Sequence, residues 1–161
     1  TSVQLDNYQI NENCPVDTVV GKLTTSDPDN ANRQRQTFSY TMIDSAQGIF
    51  KIEGDDIKVA VSNADCLKYG GVYCQLNYEG TPSFSVSVQV TDSGSPSASA
   101  IFNLTIQLKD INDQPRQFTI SNSIVKENDP AGTVVGVFAY TDEDKGQTHQ
   151  VQLVDDDNGQ F

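Results

Sequence analysis

Apolar and polar side chains alternate along most of this chain with the two-residue period of strands that have one buried face. Phe84, Val86, Val88 and Val90 alternate with Ser85, Ser87 and Gln89. Phe102, Leu104, Ile106 and Leu108 alternate with Asn103, Thr105 and Gln107. The same period runs through Phe38–Met42, Phe50–Ile52 and Ile57–Val61. The β-branched run Thr18–Thr24 and the segment from Val3 to Ile10 add two more candidate strands. Turn-forming clusters such as Asp27-Pro28-Asp29-Asn30 separate them. No amphipathic helical pattern interrupts the series. About seven short strands within roughly 100 residues predict an all-β, two-sheet sandwich.

The pattern then begins again. At an offset of about 115 residues, Glu12, Asn13 and Pro15 meet Glu127, Asn128 and Pro130. Thr18-Val19-Val20-Gly21 meets Thr133-Val134-Val135-Gly136, and Asp27 and Asp29 meet Asp142 and Asp144. With the offset shortened by about four residues, Met42-Ile43-Asp44 faces Leu153-Val154-Asp155, and Gly48 and Phe50 face Gly159 and Phe161. A tandem repeat is therefore expected, with a nearly complete first copy over 1–117 and a second copy over 118–161 that stops less than halfway.

Charge changes the picture from fold to chemistry. The 161 residues carry 22 acidic and 10 basic side chains, a net charge of −12. That argues against nucleic-acid binding, which needs a basic face. It suits an acidic surface or cation binding. No apolar run reaches the roughly 20 residues that span a bilayer, so no membrane contact is expected from this segment. The start at Thr1, without a signal-like stretch, reads as a piece of a longer or processed chain. Cys66 and Cys74 flank a hairpin-like segment with Gly70-Gly71 at its turn, which suggests a disulfide and an oxidising compartment. Two unpaired thiols in a loop are the alternative. Cys14 is left over, with burial, a free thiol or pairing to another chain all open. Asn103-Leu104-Thr105 is an N-glycosylation acceptor on the outward phase of its strand.

The acids concentrate where the first copy ends. Asp110-Ile111-Asn112-Asp113-Gln114-Pro115 follows the last alternating run and is stopped by a proline that cannot continue a ladder. It reads as a linker dense in hard oxygen donors, which suit Ca2+ and its six to eight oxygen ligands. Glu12 follows the first strand, and Asn77 and Glu79 precede the Phe84 strand. Strand parity alone does not prove that these places meet. Asp27, Asp29 and Asp92 would lie at the other pole, as half of a further site.

Taken together, Glu12-Asn13-x-Pro15, Val20-Gly21-x-Leu23, Asp27-x-Asp29, Leu76-Asn77-Tyr78-Glu79, Val90-Thr91-Asp92-Ser93-Gly94-Ser95-Pro96 and Asp110-Ile111-Asn112-Asp113-x-Pro115 resemble an extracellular cadherin repeat. The resemblance covers residues 1 to about 117. It resumes through Glu127-Asn128, Val135-Gly136 and Asp142-x-Asp144. It implies a seven-strand Greek-key sandwich followed by a truncated second repeat, with Ca2+ ions held between repeats. Carried over by motif, the outermost site takes Glu12, Asn77, Glu79 and Asp113. The middle site takes Glu12, Glu79, Asp110, the Ile111 carbonyl, Asp113 and Asp144. The inner site takes Asn112, the Gln114 carbonyl, Asp142 and Asp144. Asn77 stands where the family carries Asp, which removes a charge. The segment from Asn63 to Gln75 looks like an insertion. The absence of Trp sets this chain apart from cadherins that exchange a Trp-anchored strand and leaves a protocadherin- or Fat-like kind.

The resemblance implies a Ca2+-dependent cell-adhesion or spacer module, extracellular and at the cell surface. Its partners would be other such repeats in cis or trans, homophilic adhesion included, or extracellular matrix. The half-site at Asp27, Asp29 and Asp92 leads to the expectation of another repeat before Thr1. A secreted acidic matrix or mineral-associated protein with the same fold is the alternative. An enzyme is not expected. The single histidine, His149, lies in a polar loop, and no phosphate loop, zinc spacing or nucleophile elbow is present.

Overall fold

The computed structural model describes residues 1–28, 36–61 and 75–159, so Asp29, Cys66 and Cys74 lie outside the described residues. The described chain is all-β and forms two compact units, Thr1–Asp113 and Gln114–Phe161.

The first unit is a sandwich of two four-stranded sheets. One sheet has the order β1 (Ser2–Leu5), β3 (Val19–Ser26), β6 (Asp56–Val59), β5 (Phe50–Glu53). The other has the order β2 (Gln9–Asn11), β8 (Ser99–Lys109), β7 (Ser83–Asp92), β4 (Phe38–Asp44). The chain changes sheet after each of β1, β2, β3 and β4 and again after β6, while β5–β6 and β7–β8 are antiparallel neighbours within a sheet. The single opening strand expected from Val3 to Ile10 is divided: β1 pairs antiparallel with β3, and β2 pairs parallel with β8.

Alternation in the sequence becomes the two faces of each sheet. Val86, Val88 and Val90 of β7 and Leu104, Ile106 and Leu108 of β8 are buried. They meet Val20, Leu23, Ile57, Val59 and Phe50 from the opposite sheet. Phe50 and Phe84 cross the interior edge to face with ring centres 5.7 Å apart. A hydroxyl pair, Thr25 Oγ1 and Tyr40 Oη at 2.9 Å, ties the two sheets where Tyr40 is only partly buried.

Asp6-Asn7 is the hinge that moves the chain from one sheet to the other. Asp6 Oδ1 accepts the Lys22 N–H at 2.7 Å. Asn7 Nδ2 donates to the carbonyls of Val20 at 2.7 Å and Gln9 at 2.8 Å. Gly21 makes room for it: a Cβ there would stand 2.5 Å from the Asn7 carbonyl oxygen and 2.8 Å from Asp6 Oδ1. Gly21→Ala is therefore expected to destabilise the chain by roughly 1–3 kcal/mol through forced backbone displacement. Urea denaturation measures it, and a wild-type midpoint would contradict the packing argument.

The second unit repeats these local devices at the same offset. β9 (Arg116–Ile120) pairs with β10 (Phe138–Thr141), matching Ile120 to Phe138 as Leu5 is matched to Leu23. Asn122 Nδ2 donates to Val135 and Ile124, and the Val137 N–H donates to Ser121 Oγ. Thr133 Oγ1 donates to the Pro130 carbonyl at 2.7 Å, as Thr18 Oγ1 does to Pro15. Beyond the offset change, the Asp155 Oδ1 turn onto the Asp157 N–H copies that of Asp44 onto Ala46. What differs is burial. Ile120 and Phe138 are 40% and 42% exposed, against 3% and 2% for Leu5 and Leu23.

Candidate metal centre

Glu12 is the residue around which the end of the first unit is built. It follows β2 directly, and its own N–H continues the β2–β8 pairing by donating to the Lys109 carbonyl at 3.1 Å. Its side chain turns inward and is 2% exposed. A carboxylate at that depth needs partners. Oε2 accepts the Tyr78 N–H and Oε1 the Ile111 N–H, each at 2.7 Å. Such charge-assisted bonds are short and strong. Glu12 thus binds together the exit of β2, the segment leading to β7 and the first residues after β8.

That fastening gathers carboxylates. Glu12, Glu79 and Asp110 each offer one oxygen, and these oxygens all lie within 4.8 Å of one another. Glu79 and Asp110 are exposed. Two ligands on opposite sides of one Ca2+, each at 2.3–2.6 Å, stand about 5 Å apart, so this spacing fits a shared ion. The donors are all hard oxygens, with no imidazole or thiolate to favour zinc or copper. Three negative groups so close repel one another, and a divalent cation offsets that repulsion.

The neighbouring candidates take distinct positions. Asp113 Oδ1 accepts the Asn13 Nδ2 donor at 3.0 Å. Asn112 Nδ2 turns to the Asp113 carbonyl at 3.0 Å. Ile111 supplies its N–H to Glu12, which leaves its carbonyl for other partners. Asn77 Oδ1 accepts the Gly80 N–H at 2.6 Å and so shapes the turn that presents Glu79. Leu76, fully buried, anchors the start of that turn, and its carbonyl accepts the Asn13 N–H at 3.0 Å. Sequence reasoning did not assign a part to the Asn13 side chain or the Tyr78 amide. The recurrence of Asn13 as Asn128 marks the shared left-handed backbone and not the side-chain bond. A backbone donor such as Tyr78 N–H leaves no signature in residue type.

Asp92 and Asp27 lie at the far end of the first unit. β8 runs for 11 residues, roughly 35 Å, from the Asp92 end to the Asp110 end. Asp92 Oδ1 accepts the N–H groups of Gly94 at 2.8 Å and Ala98 at 3.1 Å, and Asp27 accepts the Thr1 hydroxyl. Asn103 is exposed on the outer face of β8, where the Ser87 hydroxyl donates to its Oδ1 at 2.8 Å.

In the second unit, Asp142 Oδ1 accepts the Asp144 N–H at 2.9 Å, and Oδ2 lies 2.6 Å from His149 Nε2. The His149 hydrogen bond, above all, holds the Asp142 carboxyl below its ordinary range. Arg116 Nη1 donates to Glu143 Oε1 at 2.7 Å nearby. Gln114 opens this unit.

The family model for the cadherin domain matches residues 6–109, the sandwich that carries Glu12, Glu79 and the β8 strand. The chain belongs to the cadherin family. This cadherin chain is 29% identical to human Protocadherin-1, over 99% of its own length and 16% of that protein. It is 28% identical to human Protocadherin Fat 4, over 89% of its length and 3% of that protein. It therefore spans a sixth or less of these relatives. In fold it is similar to the Protocadherin GammaB4 extracellular domain, with a TM-score of 0.52, 21% identity, and coverage of 90% of this chain and 24% of that one. It is also similar to Protocadherin Gamma B2 extracellular cadherin domains 3-6, with a TM-score of 0.55, 19% identity, and coverage of 90% and 36%. Among the described residues, no helix is long and apolar enough to cross a membrane.

Proposed function

We propose that this cadherin chain is a Ca2+-stiffened module of an extracellular adhesion or spacer protein. The observation that carries the reading is Glu12, buried and doubly bonded to backbone amides, with Glu79 and Asp110 held close enough to share one ion. Glu12, Asn77, Glu79, Asp110 and Asp113 would be the side-chain ligands from the first unit, joined by the Ile111 carbonyl and Asn112. Asp142, Asp144 and the Gln114 carbonyl would be the contribution of a second repeat, to which Gln114–Phe161 belongs. Bound Ca2+ supplies charge neutralisation and fixes the oxygens around it. The chain's own residues set where those oxygens stand: Glu12 through the Tyr78 and Ile111 amides, Glu79 through the Asn77 turn.

The module has no catalytic part in this reading. Its product is a stiff linker that holds successive repeats in line for contact with other repeats in cis or trans, or with matrix. The extracellular setting accords with the Asn103 acceptor on an exposed strand face and with the proposed Cys66–Cys74 bridge. Weak all-oxygen sites of extracellular modules have dissociation constants of about 10⁻⁴–10⁻³ M, so they fill outside the cell and empty inside it. Calorimetric titration of the chelator-stripped chain should show Ca2+ uptake in that range. The uptake should fall sharply in Glu79→Ala and Asp110→Ala, and Mg2+ should not replace it. No uptake by the unmodified chain would overturn the reading.

A further inference from the structure

We infer that Asn13 is a positioning residue for the linker carboxylate Asp113, and so tunes Ca2+ affinity without being a ligand in the set above. This rests on the Ca2+ reading. Asn13 Nδ2 donates to Asp113 Oδ1 at 3.0 Å. The opposite assignment of the carboxamide would set two oxygens against each other, so the acceptor fixes which end is which. Its other end, Oδ1, is buried with no hydrogen-bond partner among the described residues. Nothing else on the side chain therefore competes with Asp113 for its orientation.

The backbone explains why an asparagine stands there. Asn13 has a φ of 55°, in the left-handed region that asparagine tolerates better than most residues. Its N–H is fixed by the Leu76 carbonyl at 3.0 Å. The second unit repeats this backbone. Asn128 keeps the same left-handed conformation, with a φ of 65°, and its Nδ2 lies 3.5 Å from the adjacent Glu127 Oε1. The left-handed turn thus recurs at the repeat offset.

Adjacent residues consequently grip the linker at two points. Glu12 accepts the Ile111 N–H, and Asn13 donates a hydrogen bond to Asp113. A carboxylate has about four acceptor positions, so accepting from Asn13 is compatible with ligating a cation. Outer partners of this kind are worth about tenfold or more in metal affinity, because they remove the freedom a ligand would otherwise lose on binding.

The test is a double-mutant cycle on the full chain, read as Ca2+ affinity by calorimetry. Asn13→Gly removes the side chain and keeps the left-handed backbone. It is expected to weaken Ca2+ binding about tenfold. In an Asp113→Ala background the same change should have no further effect, since its route to the ion is gone. A merely structural role would instead give losses that add. Unchanged affinity in Asn13→Gly, or additive losses, would overturn the inference while the Ca2+ reading stands. Absence of Ca2+ uptake by the unmodified chain would remove both.

Discussion

Glu12→Ala is expected to destabilise the metal-free chain by roughly 3–5 kcal/mol, because it strands two backbone donors that now meet a charged acceptor, each such bond contributing about 1.5–3 kcal/mol. One opposing effect exists. Removing the charge relieves repulsion from Glu79 and Asp110, whose carboxylate oxygens lie within 4.8 Å of that of Glu12. Both of those neighbours are exposed, so water and salt weaken their repulsion, while the two amide bonds are made at 2.7 Å by a side chain that is 2% exposed. The hydrogen bonds win. Glu12→Gln keeps one carbonyl acceptor and should fall between the two. Denaturant unfolding in chelator measures the loss. A metal-free Glu12→Ala chain as stable as the parent would mean that repulsion dominates and that Glu12 is not a structural tie.

Leu76→Ala is expected to lower stability by about 3 kcal/mol, the usual consequence of emptying a fully buried leucine site. Leu76 has no exposed surface, and the turn Asn77–Gly80 that presents Glu79 starts from it. Its carbonyl also holds the Asn13 N–H. The cavity should therefore loosen Glu79 and Asn13 together, so Ca2+ affinity falls along with stability. Leu76→Met, which conserves volume, should cost less than about 1.5 kcal/mol and leave affinity near the parent value. Unfolding midpoints and Ca2+ titrations on the two variants separate the outcomes. A stability loss with unchanged affinity would show that the turn holds its shape without its anchor.

The strands of the first unit were legible because one face of each sheet is buried. Val86–Val88–Val90 and Leu104–Ile106–Leu108 alternate in sequence and line one interior. Which sheet a strand joins was not legible. The period of two marks the phase of a side chain and says nothing of its neighbour strand. The division of the opening strand depends on Asp6 and Asn7 bonding to Lys22 and Val20, contacts that lie far away in sequence. The second unit shows the same limit. Its short-range turns, Thr133 onto Pro130 and Asp155 onto Asp157, are formed as in the first. Val151 and Leu153 carry the apolar alternation of β4, yet no ladder forms there among the described residues. In the first unit that ladder depends on β7.

The candidate centre was legible as acids clustered after the last strand of the first copy, with Glu12 recurring as Glu127. Its organisation was not, since depth and backbone partners have no signature in residue type. Glu12 looked like one acid among several and proves to be the buried tie among three segments. Asn77 read as a weakened ligand, and its side-chain oxygen also accepts the Gly80 N–H in the turn beside Glu79. Cys66, Cys74 and Asp29 fall outside the described residues.

The central claim is that Ca2+ stiffens the linker at the end of the first unit. Amide hydrogen exchange across Asp110–Phe118, compared in millimolar Ca2+ and in chelator, tests it most directly. The account predicts slow exchange with Ca2+ and fast exchange at Asn112–Phe118 without it. The Ile111 amide, held by Glu12, should stay slower than its neighbours in both. Exchange across the linker that is indifferent to Ca2+ would contradict the claim.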